Sequence, residues 1–431
     1  MTHRNTTAPA RMAHLDGLRG VAILLVLGFH YFTCFQAVYP YGSAWAEFPL
    51  FRWGHLGVHL FFAISGFVIA MTLERCTGLD DFAVRRFARL WPTMLLCAVL
   101  SYATLSLLPS PWPPKPADFL PSLTFIDGFV WNKLIPGLDA SWIDVAYWSL
   151  FVEVRFYALA ALLWFASPRR FAPLFFGLST LVVALYALGH AAGLGARAEW
   201  LQWAFAAKFL PWFVVGVATR LVAGGRGRLG ALGLGLAALQ TAFLLAIDDP
   251  QAHPVALVAV MALMLGPLAS PRLAGWLGAR PLAAVGAASY SLYLLHQYAG
   301  LTIVSALSRA AGLEGHAALP VALGVAAACI GLAFAIHRYW EGPINDRLAG
   351  SYAAWRGLRA QGKCHQAAGA GLDGAQHALG VDLAEEVDLH RRVDGHEARD
   401  LGDCRRAVRV RDVGHPPLRQ TRGEVVQRGV A

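Results

Sequence analysis

Two ionisable side chains lie within the first apolar segment, and their spacing suits acid–base chemistry on a bound ligand. Arg19 stands near the start of this segment and His30 stands deep within it. Eleven helical residues span about 16 Å and return to within about 20° of the same face. The pair therefore predicts one stripe, with Arg19 at a membrane–water boundary and His30 at about mid-bilayer above it. A cation there suits the anionic head of a ligand, and histidine suits a general base at its reactive end.

A structural interpretation of the same residues stays open. An arginine near a helix end often snorkels to the interface, and a buried histidine often forms a hydrogen bond between helices. Glu153 also lies in an apolar segment and needs a partner, either His30 or Arg155. His296 is either a second proton carrier or a packing histidine.

The composition indicates that a membrane surrounds these groups. Of 431 residues, 57% are hydrophobic and 15% are charged, and the mean hydropathy is +0.48. A soluble domain is usually about 25% charged, so most water-soluble classes are excluded. The net charge of +9 does not indicate nucleic-acid binding, because the arginines lie mostly between hydrophobic segments and membrane orientation accounts for them. Six cysteines without CxxC or zinc-like spacing predict neither a disulfide framework nor a metal site.

The predicted fold is all-α, a polytopic transmembrane helical bundle of about ten spans, because a span needs about 20 mostly apolar residues. The predicted spans are 15–35, 54–73, 91–109, 143–166, 171–190, 203–222, 229–247, 253–269, 282–306 and 317–339. With the N-terminus cytoplasmic, arginine and lysine favour the inner segments by about three to one, which predicts that both termini are cytoplasmic.

The sequence also predicts the division of the chain. A cytoplasmic segment at 1–13 precedes a transmembrane domain at 14–348, and a polar tail follows at 349–431. From about Gly357 the tail has no Phe, Trp, Tyr, Ile or Met, so it is predicted to be disordered, or to be an out-of-frame reading of a GC-rich gene. The proline-rich outer loop from Pro109 to Asp139 is either a passive connection or a lid over an acceptor site.

Six segments, in order, resemble the motifs of the acyltransferase-3 family of membrane acyltransferases, over about residues 14–346. They are HLDGLRGVA at 14–22 followed by His30, GVHLFFAISGFVI at 57–69, RFARLWP at 86–92, WSLFVEVRFY at 148–157, SYSLYLLH at 289–296 and WEGP at 340–343. The chain departs from the family pattern at His59, where an acidic residue is common, and at Val154 and Arg155, which replace a frequent Glu-Gln pair.

The resemblance implies an O-acyltransferase of the bacterial plasma membrane. It would move an acyl group, most simply acetyl, from cytoplasmic acyl-CoA to a hydroxyl of a cell-envelope or exported carbohydrate. His30 would deprotonate that hydroxyl or briefly carry the acyl group, Glu153 would orient His30, and His296 would be a further catalytic residue. The residues implied for the acyl-CoA site are Arg19, Arg86, Arg89 and Glu341. Acyl-CoA is then a co-substrate, and no permanently bound cofactor is expected.

Two alternatives remain at this point. The same chemistry could act on a small secreted metabolite such as a macrolide. A transporter or flippase of a lipid-linked sugar would need no covalent chemistry, and it predicts paired repeats and broken helices.

Overall fold

The computed structural model describes residues 12–352, 354–356 and 358, and within them the chain is helical and contains no strand. Seventeen α-helices follow one another: α1 Ala13–Phe32, α2 Pro49–Arg52, α3 Gly57–Leu73, α4 Leu79–Leu107, α5 Phe119–Thr124, α6 Gly128–Leu134, α7 Trp148–Ala166, α8 Phe171–Ala191, α9 Gly195–Phe205, α10 Leu210–Ala223, α11 Gly227–Leu245, α12 Pro254–Ala269, α13 Pro271–Leu277, α14 Arg280–Ala287, α15 Ser289–Leu295, α16 Tyr298–Ala310 and α17 Leu319–Ile336. A π-helical turn at His337–Glu341 follows α17.

In the described part of the chain, seven helices are long and apolar enough to cross a membrane, and nine spans result if each of two bent pairs counts as one. The bends are 63° between α9 and α10 and 113° between α12 and α13. Ala206 has a left-handed backbone (φ 55°) at the first bend, and Ser270 precedes Pro271 at the second, where a proline disfavours helical backbone in the residue before it. The predicted polytopic helical bundle is confirmed.

The predicted span at 282–306 is instead divided among α14, α15 and α16, which accounts for the difference from about ten spans. At the break between α15 and α16, Gln297 has φ −81° and ψ −89°, outside the helical region. The N–H of Tyr298 donates to the carboxylate of Asp144 at 2.7 Å. A side chain from a distant element therefore takes the bond that a continuous helix would have used.

The core is built around α3 and α10, which pack closely along their length. A Cβ atom at Gly66 would lie 2.4 Å from the carbonyl oxygen of Phe213, so this approach requires glycine. Large buried aromatic side chains, among them Trp212 and Phe156, fill the remaining space around this contact.

The chain divides into two units after Asp346. All of the helices named above lie in the first unit. In the second unit, residues 347–352, 354–356 and 358 are described and are helical. The predicted disorder of the polar tail concerns residues that lie outside the described part, as does most of the N-terminal segment.

Candidate active site

A cavity of about 710 Å³ lies between α1, α3, α4, α7, α10, α15 and the π-helical turn. Its lining carries five arginines and three carboxylates, so it holds an excess of positive charge. These residues are Arg19, Arg75, Arg86, Arg89, Arg220, Asp16, Glu153 and Glu341. All four residues predicted for acyl-CoA binding are among them. They come from three separate regions of the sequence, which the fold brings together.

Two of these arginines, Arg86 and Arg19, have different neighbours within the cavity lining. The Nε of Arg86 is buried and has no hydrogen-bond partner in the described part of the chain, and the guanidinium of Arg86 lies 5.8 Å from the ring centroids of Phe82 and Tyr157. Arg19 pairs with Asp16 at 3.2 Å on its own helix. Arginine binds phosphate oxygens in bidentate fashion, so such a lining suits a phosphorylated ligand.

Arg89 and Glu341 form an ion pair across 252 residues of sequence, with 2.9 Å between Nη1 and Oε1. The side chain of Glu341 is 2% exposed and also accepts a hydrogen bond from Ser291 at 3.3 Å. The guanidinium of Arg338, three residues before Glu341 in the sequence, lies over the ring of Tyr339, 5.7 Å from its centroid.

Glu153 lines the cavity and accepts two short hydrogen bonds at the same oxygen, from Ser65 and from Tyr157, each at 2.5 Å. Tyr157 lies one helical turn away, as its spacing predicted. Neither His30 nor Arg155 is among these hydrogen-bond partners. The guanidinium of Arg155 lies 5.6 Å from the ring centroid of Trp203. Among the described residues, Arg155 therefore forms no ion pair with Glu153.

His30 and His296 form a direct pair, with 2.8 Å between Nδ1 of His30 and Nε2 of His296. Nδ1 of His296 lies 3.1 Å from the carbonyl oxygen of Leu292 and 3.0 Å from that of Tyr293. Because carbonyl oxygens only accept, Nδ1 of His296 carries the proton. Nε2 of a neutral His296 is then an acceptor for the N–H at Nδ1 of His30. The lone pair of His30 therefore remains at Nε2, the state that a general base needs.

The histidine pair does not belong to the lining of the cavity. Tyr293 lines the cavity one turn before His296, and the ring centroids of these two residues are 5.8 Å apart. The ring of Phe61 is 6.2 Å from that of Tyr293 and also lines the cavity. His30 lies in the last turn of α1, because this helix ends at Phe32 rather than at the predicted 35. His30 therefore lies closer to the end of its helix than the predicted mid-bilayer position implied.

Hydrogen bonds join the start of α7 to the α15–α16 region. Tyr293 donates to the carbonyl of Ala146 at 2.9 Å, Tyr147 donates to that of Leu294 at 3.1 Å, and the Tyr298 N–H donates to Asp144. Asp144 is fully buried, and this burial raises the pKa of its carboxyl to about 7, although the N–H donors lower it. This seam holds the segment that carries His296.

The sequence reasoning missed Asp144, and the available signal was a carboxylate at the start of the predicted span 143–166. It also missed Gln297, which directly follows the histidine of the SYSLYLLH motif. His59, one of the departures from the family pattern, stacks on Trp212 with 4.3 Å between centroids, and its Nε2 lies 3.1 Å from Oε1 of Gln251. It lies outside the cavity lining, so the substitution does not change the charge of the cavity.

The proline-rich loop packs beside the histidine pair. Trp112 stacks on Tyr298 with 4.1 Å between ring centroids and 4° between the planes. It also makes an edge contact with Phe35, whose ring centroid is 6.3 Å from that of His30. This side of His30 is therefore covered by aromatic side chains from two loops and α16.

Several curated proteins are similar to the chain. Acyltransferase MdmB of Streptomyces mycarofaciens is 29% identical over 37% of this chain and 41% of the relative. An O-acetyl transferase of Shigella phage Sf6 is 31% identical over 20% of this chain and 25% of the relative. O-acetyltransferase OatA of Staphylococcus aureus is 25% identical over 67% of this chain and 50% of the relative. The chain thus spans half or less of the length of these relatives, and no solved structure matches it.

The family comparison covers much more of the chain. The model of the acyltransferase-3 family, described as an acyltransferase domain, matches residues 12–338. This range contains His30, Glu153 and His296, together with the arginines of the cavity. The chain therefore belongs to the acyltransferase-3 family, and its acyltransferase domain contains the candidate membrane-spanning helices.

Proposed function

We propose that the protein transfers an acetyl group from cytoplasmic acetyl-CoA to a hydroxyl of a cell-envelope or exported carbohydrate. The observation that carries this proposal is the arginine-lined cavity, which extends to Tyr293, one turn from the histidine pair. The relatives named as O-acetyltransferases support both the acetyl group and the oxygen acceptor. The charge distribution along the sequence supports a plasma membrane location with both termini cytoplasmic.

The donor half of the site would use the arginines. Arg86, Arg89 and Arg19 hold the phosphates of the coenzyme, and Glu341 fixes the guanidinium of Arg89 in place. The pantetheine arm then runs along the cavity past Glu153 toward Tyr293. Because Tyr293 and Phe61 stand between the cavity and His296, the thioester reaches the histidine pair when one of these rings moves aside.

The transfer step would use His30 as the base. The acceptor oxygen attacks the thioester carbonyl carbon, forming a C–O bond, while Nε2 of His30 takes the hydroxyl proton. The tetrahedral species collapses, the C–S bond breaks, and the sulfur leaves as coenzyme A after receiving that proton. A route through a transient acyl-histidine needs the same lone pair at Nε2 of His30, so both routes depend on the hydrogen bond to His296.

The transporter alternative expects broken helices, and two bent helix pairs are present. Membership in a family of acyl-transferring enzymes nevertheless favours catalysis. The metabolite alternative is the same reaction with a smaller acceptor. The set of acceptors that become labelled decides between the two.

Sealed vesicles test the proposal. Inside-out vesicles carrying wild-type protein should transfer label from radiolabelled acetyl-CoA to enclosed glycan, and right-side-out vesicles should not. Vesicles with His30→Ala should transfer none, and those with Arg19→Ala should show a higher KM for acetyl-CoA. Equal labelling by wild type and His30→Ala would contradict the proposed mechanism. Labelling of a small metabolite but of no glycan would favour the alternative acceptor.

A further inference from the structure

Gln297 is a buried amide without a hydrogen-bond partner. It stands between α15 and α16 and is 1% exposed, and neither its Nε2 nor its Oε1 has a partner among the described residues. Leaving a buried amide unpaired is destabilising, and most buried polar groups in folded proteins are paired. A group kept in this state needs an explanation, and a ligand that pairs with it during function is one.

The position of Gln297 relates it to the reacting groups. It directly follows His296, whose Nε2 contacts His30 at 2.8 Å. The first turn of α16 approaches α1 closely, since a Cβ atom at Gly300 would lie 2.2 Å from the hydroxyl of Tyr31. Glycine at this position thus permits the start of α16 to lie against the end of α1. Gln297 and the base His30 are therefore held in one region of the fold.

The start of α16 adds positive potential. Gln297 is the N-cap residue of this 13-residue helix, and its side chain makes no capping bond. The first N–H groups of a helix have no partner within the helix, and the aligned peptide dipoles place positive potential there. Asp144 accepts the first of these N–H groups, that of Tyr298, which fixes the orientation of the helix start and offsets part of this potential when the carboxyl is ionised.

We propose that Gln297 is a catalytic residue whose amide N–H binds the oxyanion of the transfer reaction, a role that rests on the proposed function. When the acceptor oxygen bonds to the thioester carbon, the electron pair of the C=O bond moves to the carbonyl oxygen. Nε2 of Gln297 donates a hydrogen bond to this oxygen, and the N-terminus of α16 stabilises its charge. The C=O bond then re-forms, the C–S bond breaks, and His30 returns its proton to the sulfur.

The Gln297→Leu variant tests this role, because leucine fills similar space but has no donor. Loss of one oxyanion donor lowers kcat on the order of 10²-fold to 10³-fold. The KM for acetyl-CoA should be unchanged, because the arginines are untouched. The Tm in detergent should stay equal or rise, because the variant removes an unpaired buried amide. A merely structural glutamine would instead lower Tm when replaced.

Gln240→Leu is the matched control. Gln240 is also fully buried with an unpaired Oε1, but its Nε2 donates to Thr180 on α8 at 2.9 Å. The kcat of the Gln240→Leu variant should remain that of wild type. Gln297→Met provides a second variant of similar length, and it should repeat the loss of kcat if Gln297→Leu fails to fold.

The outcomes separate the two proposals. If the wild-type protein is active and either Gln297 variant keeps the wild-type kcat, the oxyanion role is overturned and the proposed function is not. A fall in kcat that is accompanied by a fall in Tm in both variants would also overturn the oxyanion role. Wild-type protein that acylates no acceptor from any acyl-CoA would contradict the proposed function itself.

Discussion

Nδ1 of His30 and Nε2 of His296 lie 2.8 Å apart, although 266 residues separate them in the sequence. The two backbone carbonyls at Nδ1 of His296 fix the direction of the hydrogen bonds along the whole pair. His296 is thus a neutral acceptor that orients the ring of His30. In the proposed mechanism His296 would also stabilise the imidazolium that forms when His30 takes a proton, as a carboxylate does beside the histidine of other acyl-transferring enzymes.

Replacing His296 with phenylalanine should lower kcat by about 10²-fold, because Nδ1 of His30 then loses its acceptor and the base loses its orientation. The KM for acyl-CoA should not change, since the arginine-lined cavity is untouched. Initial rates over a range of acyl-CoA concentrations measure both values. His59→Phe is the control: this buried histidine lies outside the pair, and phenylalanine can keep the stacking on Trp212. Equal kcat values for the two variants would contradict the role of His296.

Replacing Arg86 with alanine should raise the KM for acyl-CoA about tenfold, which corresponds to about 1.4 kcal/mol of lost phosphate binding. Arg85→Ala is a matched control on the same helix. Arg85 is bonded to Asp81 at 2.7 Å and does not line the cavity, so its KM should remain that of wild type. The same kinetic series measures both variants. A tenfold rise in both would mean that general positive charge, rather than the cavity, attracts the coenzyme.

The helices and the arginine cluster were predictable, because both depend on local patterns. A run of apolar residues specifies a membrane helix, and the spacing of Arg86 and Arg89 places both on one face of α4. The hydrogen-bond partners of Glu153 were harder to predict from the sequence. Tyr157 lies one turn away on the same helix, whereas Ser65 is 88 residues distant and depends on how α3 packs against α7.

The break after His296 was not predictable from hydropathy. The sequence from 282 to 306 is mostly apolar, contains no Asp, Glu, Lys or Arg, and is consistent with one continuous helix. What interrupts it is the bond between Tyr298 and Asp144, a contact across 154 residues. Hydropathy indicates whether a segment prefers lipid or water. It does not indicate that a backbone N–H will pair with a distant carboxylate.

Replacing Arg89 with methionine should lower the free energy of unfolding by about 3 kcal/mol, because the buried carboxylate of Glu341 loses its arginine partner and keeps His337 and Ser291, each at 3.3 Å. The double variant Arg89→Met with Glu341→Gln should recover part of this loss, since no charge is then buried. Thermal unfolding in detergent measures the effect. Arg338→Met is the control, since Arg338 is exposed and does not contact Glu341. A double variant less stable than Arg89→Met would contradict the ion pair as the cause.

The carboxyl of Asp144 should make stability depend on pH. Burial raises its pKa to about 7, from 3.8 in the unfolded chain. Between these values the folded protein binds more protons than the unfolded chain, so the free energy of unfolding should fall as pH rises from about 4 to 7. The Tm in detergent should accordingly fall over this window, relative to Asp144→Asn, which does not titrate.

The asparagine variant also separates the charge of Asp144 from its hydrogen bonds. Its amide can accept from the N–H of Ala146 or of Tyr298 but not from both, because its nitrogen only donates. Asp144→Asn should therefore be less stable than wild type near pH 5, where the wild-type carboxyl is mostly protonated, and this deficit should shrink toward pH 8. A deficit that stays constant from pH 5 to pH 8 would show that Asp144 does not titrate in this range.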